Sequence, residues 1–211
     1  APIHYTLDGT KPTAKSPLYT SEGVVIDHSA TLCASALRHD RMSQPMEVMV
    51  SFSEATLCPI TLLTQPAASY TFGGATTLVD GMVGNKNYRT GRWLGFYNTP
   101  CVAIIDLMEP KQTSALKFNV CVNKDDGCMD ARGVKVWLSS DNKEWALVAN
   151  EEYEPMTLED DHGLYHHTIE YAPTEARYVK VEIACEHCIP AWHPYFPGAQ
   201  GFLFVDEIAV E

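Results

Sequence analysis

Asp206 and Glu207 are adjacent carboxylates, and paired carboxylates are common equipment for general acid–base work. They fall in the last strand-like run of the chain, where neighbouring side chains point to opposite faces. No shared catalytic role is expected of them, and the catalytic set read from the sequence is empty. Cys185 and Cys188 have the two-residue gap of a zinc or redox motif, with His187 and His193 close by. A clear fourth ligand is lacking and no second such gap follows, so a buried thiol beside a loop is the simpler reading. His162, His166 and His167 flank an acidic loop and read as a solvated face. No Gly-x-Ser-x-Gly elbow occurs, and Gly73-Gly74 lacks the lysine of a phosphate loop.

The seven cysteines (33, 58, 101, 121, 128, 185 and 188) are an odd number, so at least one cannot pair within the chain. Plain packed thiols are the first reading; a disulfide and a metal stay open, and so does the redox compartment. The densest aromatic stretch is Trp192-His193-Pro194-Tyr195-Phe196-Pro197-Gly198, a proline-stiffened loop.

The elements that must position these residues are strands. Met46, Val48, Val50 and Phe52 alternate with Glu47, Met49 and Ser51, and Leu116, Phe118, Val120 and Val122 with Lys117, Asn119 and Cys121. Val134, Val136 and Leu138, then Val179, Val181 and Ile183, repeat the pattern. Asp8-Gly9, Asp80-Gly81, Asp126-Gly127 and Asp141-Asn142 supply turns between the runs. No sustained 3.6-residue apolar repeat appears, so the fold class is all-β, built of sandwiches or barrels. At 211 residues the chain suits one large domain or two small ones, on a prior of roughly 150 residues each.

A boundary is expected between residues 53 and 60, near Ser53-Glu54-Ala55-Thr56, with domains over 1–54 and 57–211. Of 15 basic and 27 acidic residues, 4 and 6 lie in residues 1–54, so the net charge of −12 belongs mostly to the second part. Such acidity disfavours nucleic acid and anionic lipid. No apolar run reaches the roughly 20 residues of a membrane span, so no membrane insertion is expected. The opening Ala1-Pro2-Ile3-His4-Tyr5 sits inside a strand-like run without a leader pattern, so a piece of a longer chain is expected.

Tyr5-Thr6-Leu7-Asp8-Gly9-Thr10-Lys11-Pro12-Thr13, followed by Ser16-Pro17-Leu18-Tyr19, resembles the small C-terminal immunoglobulin-like domain of bacterial chitobiases and β-N-acetylhexosaminidases of glycoside hydrolase family 20. The second part resembles a discoidin-like domain, also called coagulation factor 5/8 type C, which overlaps carbohydrate-binding module family 32. The residues are Leu78-Val79-Asp80-Gly81, Gly91-Arg92-Trp93-Leu94-Gly95-Phe96, Ala103-Ile104-Ile105-Asp106-Leu107, Val134-Lys135-Val136-Trp137-Leu138-Ser139-Ser140-Asp141 with Trp145, Arg177-Tyr178-Val179-Lys180-Val181 and Leu203-Phe204-Val205-Asp206-Glu207-Ile208. The resemblances imply a small immunoglobulin-like sandwich followed by an eight-stranded jelly-roll sandwich.

They also imply a function. A non-catalytic carbohydrate-binding appendage of a larger secreted hydrolase is expected, with a purely structural spacer as the alternative. The fragment itself is not expected to be an enzyme, since a (β/α)8 barrel needs about 250 residues. The parent chain's catalytic barrel is the expected partner, and the periplasm or cell surface the expected location. The resemblance implies calcium between the loop opening with Leu-Val-Asp-Gly and the last strand. Asp80 and Glu207 would give carboxylates, and Asn85 or Thr90 would complete the shell. Glycan contacts of galactoside or N-acetylglucosaminide type are expected at one end of the second sandwich. There Trp192, His193 and Tyr195 would supply the platform and polar groups, with Asn87, Tyr88, Arg89 and Arg92 from the opposite side. The competing reading is that the 192–198 aromatics fold inward and plug that end.

Overall fold

The computed structural model describes all 211 residues. The chain is all-β, with twelve strands, three short 3-10 turns and no α-helix. No helix is long and apolar enough to cross a membrane. The chain folds as two units, Ala1–Phe52 and Ser53–Glu211.

The first unit holds β1 (Ile3–Thr6), β2 (Ala30–Arg38), β3 (Arg41–Met42) and β4 (Met46–Val50). β2 lies between β1 and β4, antiparallel to both. It turns into β3 through His39 and Asp40, both at positive φ, as a two-residue hairpin of this twist requires. The expected alternation appears in the register: Leu32 pairs with Val48, Ala34 with Met46, and Ala34 with Tyr5. These residues share one apolar face, yet none of them is buried. The hydrogen-bonded strands of this unit make a single sheet, extended beyond β1 by a bridge from His4 to Leu18.

The second unit contains β5 (Ile60–Leu62), β6 (Met82–Val83), β7 (Leu94–Tyr97), β8 (Cys101–Val122), β9 (Gly133–Ser139), β10 (Ala146–Glu152), β11 (Gly163–Ala184) and β12 (Phe202–Val210). Its main sheet runs β10-β9-β11-β8-β12-β7, with β5 also on β8. β8 and β11 are each 22 residues long and pair along nearly their whole length. Their register shifts between Glu170 and Thr174 and again between Ala176 and Tyr178. Bulges bend and twist a strand pair, so two halves of one sheet can close over one core. Ile105, Val136 and Val181 from one half meet Leu116, Phe118, Val120 and Ile169 from the other in that core. A second, aromatic cluster forms from Tyr88, Trp93, Phe204, Cys121 and Cys128.

One expectation fails here for a local reason. The β12–β8 register is irregular between Val205 and Ile208, so strict alternation does not hold at Asp206 and Glu207. Both carboxylates reach the 81–84 loop: Asp206 accepts from the Gly84 N–H at 2.7 Å and Glu207 from the Gly81 N–H at 3.0 Å.

Candidate functional site

Three segments from distant parts of the sequence meet at the turn between β8 and β9. The turn is built by reciprocal backbone bonds between Asn123 and Cys128, and Gly127 takes the left-handed conformation that closes it. Asp126 is the tip on one side. It accepts from the Tyr88 hydroxyl at 2.6 Å and from the Arg89 guanidinium at 3.2 Å. Lys124 faces the other side. Its carbonyl pairs with His193 Nε2 at 2.6 Å, and its ammonium donates to the Leu158 carbonyl at 2.8 Å and to the Asp160 carbonyl.

The 85–92 loop reaches this turn through local side-chain bonds. The Asn87 N–H donates to Asn85 Oδ1 and the Arg89 N–H to Asn87 Oδ1, while the Thr90 hydroxyl donates to the Asn87 carbonyl. The loop start is held by Trp93, whose indole N–H donates to the Asn85 carbonyl. Gly84 is needed beside it, because a Cβ there would lie 2.4 Å from the indole ring. Tyr88 then turns inward, 4.4 Å centroid to centroid from Phe204, and is buried. Burial and the hydrogen bond to Asp126 push its phenol pKa well up. As a direct ligand contact Tyr88 is therefore corrected: its ring belongs to the aromatic core and its hydroxyl to Asp126. Asn87 and Arg89 remain exposed, and the partly exposed Arg92 lies 3.7 Å from Asp80.

The aromatic loop divides into an inward half and an outward half. His193 is 2% exposed. Its Nδ1 accepts from the Tyr195 and Phe196 N–H groups, which leaves Nε2 to donate to Lys124. Both ring nitrogens are spent within the fold, so His193 shapes the loop and offers nothing to a sugar hydroxyl. Trp192 is half-buried against the core and donates its indole N–H to the Met156 carbonyl at 2.9 Å. Tyr195 and Phe196 point outward, 68% and 41% exposed, with Phe196 beside Gly127. Outward aromatics close to a turn that carries polar groups are the chemistry for a hydroxyl-ringed apolar ligand, and Gly127, beside Phe196, directly follows Asp126 in that turn.

Lys124 and Asp126 are parts of this end that the residue patterns marked only as a turn, through Asp126-Gly127. The 157–160 loop reads in the sequence only as part of the acidic, solvated stretch Glu151, Glu152, Glu154, Glu159, Asp160 and Asp161.

The expected metal ligands separate into two groups. Glu207 is buried; its Oε2 accepts from Gly81, and its Oε1 has no partner. Burial and the neighbouring Asp80 and Asp206 raise its pKa to about 9. Burial likewise raises Asp80, against the pull of the Met82 N–H and of Arg92. Two nearby carboxylates, one with an unsatisfied buried oxygen, fit a hard divalent cation. Asn85 and Thr90 are instead engaged inside their own loop. No group of three or more His, Cys, Asp or Glu side chains is placed to hold a metal. Beside Glu207, Asp206 is fully buried and bound by Gly84, Asn119 and the Glu207 N–H, and burial raises its pKa to about 7. All seven cysteines are free thiols, and His193 is occupied away from Cys185 and Cys188.

The F5/8 type C domain model matches residues 63–194, well over half of the sequence. The chain belongs to the F5/8 type C domain family. Residues 1–47 match the model of the chitobiase/beta-hexosaminidase C-terminal domain. Both matches are to accessory modules of larger proteins, and neither is a catalytic domain. No curated protein matches this chain. Among solved structures, the lectin domain of lectinolysin, complexed with Lewis B antigen, is similar at 17% identity and a TM-score of 0.49, over 77% of this chain and 97% of its own. CpGH89CBM32-5 from Clostridium perfringens, complexed with GalNAc-β-1,3-galactose, is similar at 13% identity and a TM-score of 0.47, over 72% of this chain and 93% of its own. An f-lectin from striped bass (Morone saxatilis) serum is similar at 22% identity and a TM-score of 0.48, over 75% of this chain and 47% of its own. The family assignment rests on the sequence model, not on these loose structural likenesses.

Proposed function

We propose that this chain is a non-catalytic carbohydrate-binding appendage of a larger glycoside hydrolase. The observation that carries the reading is the pair Tyr195 and Phe196, held outward by His193 beside a turn that also fixes Arg89. A terminal pyranose would stack on an outward ring, take hydrogen bonds from Arg89 or Asn87 and donate a hydroxyl to Asp126, with Arg92 further along the same loop. Sugars of galactoside or N-acetylglucosaminide type fit this mixture of apolar surface and polar rim. A glycan named with a family relative, such as Lewis B antigen or GalNAc-β-1,3-galactose, belongs on a first panel of ligands.

Three finer readings go with it. Residues 57–211 are a discoidin-like jelly roll, and residues 1–54 an immunoglobulin-like domain that packs on the catalytic barrel of a parent chain. A secreted parent places both outside the cytoplasm. Calcium held by Asp80 and Glu207 would neutralise the buried carboxylates and pin the 80–84 loop to β12; carbonyl and water oxygens would fill the remaining positions. The family match and the unpartnered Glu207 oxygen support these readings.

A glycan array on the whole chain, with and without calcium, tests the function. Selective retention that is lost in Tyr195→Ala is the expected result. Retention of nothing on the array would favour the second reading, a structural spacer, which draws its support from the inward packing of Trp192 and His193.

A further inference from the structure

Outside the loop end, the outer face of the β10-β9-β11 layer carries an unusual row. Trp137 stands between Leu147 of β10 and Lys180 of β11. It alternates with the buried Val136 and Leu138, so it belongs to the outward face. The Lys180 ammonium lies 4.2 Å from the Trp137 ring and 5.0 Å from the Trp145 ring. Two acidic groups on neighbouring positions of the strands are engaged elsewhere: Glu182 approaches Lys135 at 3.7 Å, and Asp106 is bound by Arg177 at 2.8 and 2.9 Å. Leu147 is 53% exposed beside this row.

Two hollows flank the row. One, of about 260 Å³, is lined in part by Lys135, Asn150, Glu152 and Glu182. The other, of about 360 Å³, is lined in part by Ser140, Glu144, Trp145 and Thr174. From Lys135 through Trp137 to Ser139 is four residues, roughly 13 Å at about 3.3 Å per strand residue. The order along the strand is therefore polar hollow, indole pair, polar hollow.

We propose that this face is a second saccharide site, which takes the interior of a neutral glycan chain lying along β9. Indoles with an apolar neighbour suit the flat faces of pyranose rings, and the hollows supply donors and acceptors for their hydroxyls. Charge selects the ligand. Lys135 and Lys180 alternate with Glu144, Glu152 and Glu182, so a polyanion meets like charges at both ends, while a neutral chain pairs with either sign. The face is open at both hollows, which suits a chain interior; the loop end suits a terminal residue. This site is independent of the loop-end reading.

The test is native electrophoresis of the full chain through gels containing glycol chitin, hydroxyethylcellulose or galactan, with melting temperatures recorded for each variant. Wild type is expected to be retarded in at least one gel. In that gel Trp137→Ala and Leu147→Glu each weaken the apparent affinity at least tenfold, and Tyr195→Ala leaves it within twofold. Leu147→Glu removes no buried group, and so decides the matter where Trp137→Ala does not melt cooperatively. The proposal is overturned if no polymer retards the wild type, if Leu147→Glu is retarded as strongly as wild type, or if the loss follows Tyr195→Ala. A glycan-array signal that persists when this test fails leaves the loop-end reading standing.

Discussion

His193 and Lys124 are bound through one carbonyl: the imidazole Nε2–H donates to the Lys124 oxygen at 2.6 Å, 69 residues away in sequence. The Lys124 ammonium holds the Leu158 and Asp160 carbonyls, and the other His193 nitrogen holds the Tyr195 and Phe196 N–H groups. This pair thus ties three loops into one surface. Replacing His193 by Ala removes bonds at both ring nitrogens and leaves buried partners unsatisfied. A loss of about 1–3 kcal/mol of stability is expected, together with loss of glycan retention, since the outward rings lose their anchor. Urea unfolding and the glycan array read the two effects separately.

Tyr195→Ala should behave differently. Its ring is exposed and makes only edge contacts with His193 and Phe196. Stability should stay within about 0.5 kcal/mol of wild type, while retention on glycan falls sharply. Trp192→Ala, by contrast, cuts into the core and frees the Met156 carbonyl, so its melting temperature should drop measurably.

A pH dependence follows from Asp206 and Glu207. Their folded pKa values, about 7 and about 9, lie above the ordinary carboxylate range, because burial favours the protonated forms. The folded state binds these protons more tightly than the unfolded chain. The stabilising contribution is therefore complete below about pH 4 and is lost as pH rises through about 7 and about 9. Chelator-stripped protein should melt at progressively lower temperature from about pH 5 to about pH 9. Added calcium should restore the melting temperature most at the alkaline end, by neutralising the ionised Glu207 together with Asp80. Glu207→Gln should flatten the pH profile and remove most of the calcium response. Scanning calorimetry across pH, with and without calcium, checks both.

Gly84→Ala tests the fit of the loop against Trp93. The added methyl would sit 2.4 Å from the ring, and neither the indole nor the N–H bonded to Asp206 can give way freely. A cost of about 1–3 kcal/mol is expected from overpacking. Tyr88→Phe removes only the hydroxyl. Because Asp126 keeps Arg89 and Asn123 as partners, about 0.5–1.5 kcal/mol is expected. Chemical denaturation measures both.

The strand alternation was legible in the chain itself. Phe118 between Lys117 and Asn119, and Val136 between Lys135 and Trp137, are buried while those neighbours are more exposed, because a pleated strand sends successive side chains to opposite faces. The all-β class and the motif order of the F5/8 type C family were readable for the same reason: they rest on local pattern. Only the tertiary structure decided what depends on partners distant in sequence. Tyr88 reads as a loop residue until Phe204 and Asp126 draw it inward. His193 reads as a free hydrogen-bonding group until Lys124 arrives from β8's turn. Asp206 and Glu207 read as opposed until an irregularity in the β12–β8 register brings both to the 81–84 loop. Alternation is a property of one strand. Register breaks, and the choice of which polar group is spent inside the fold, belong to pairs of segments, and no single stretch of sequence specifies them.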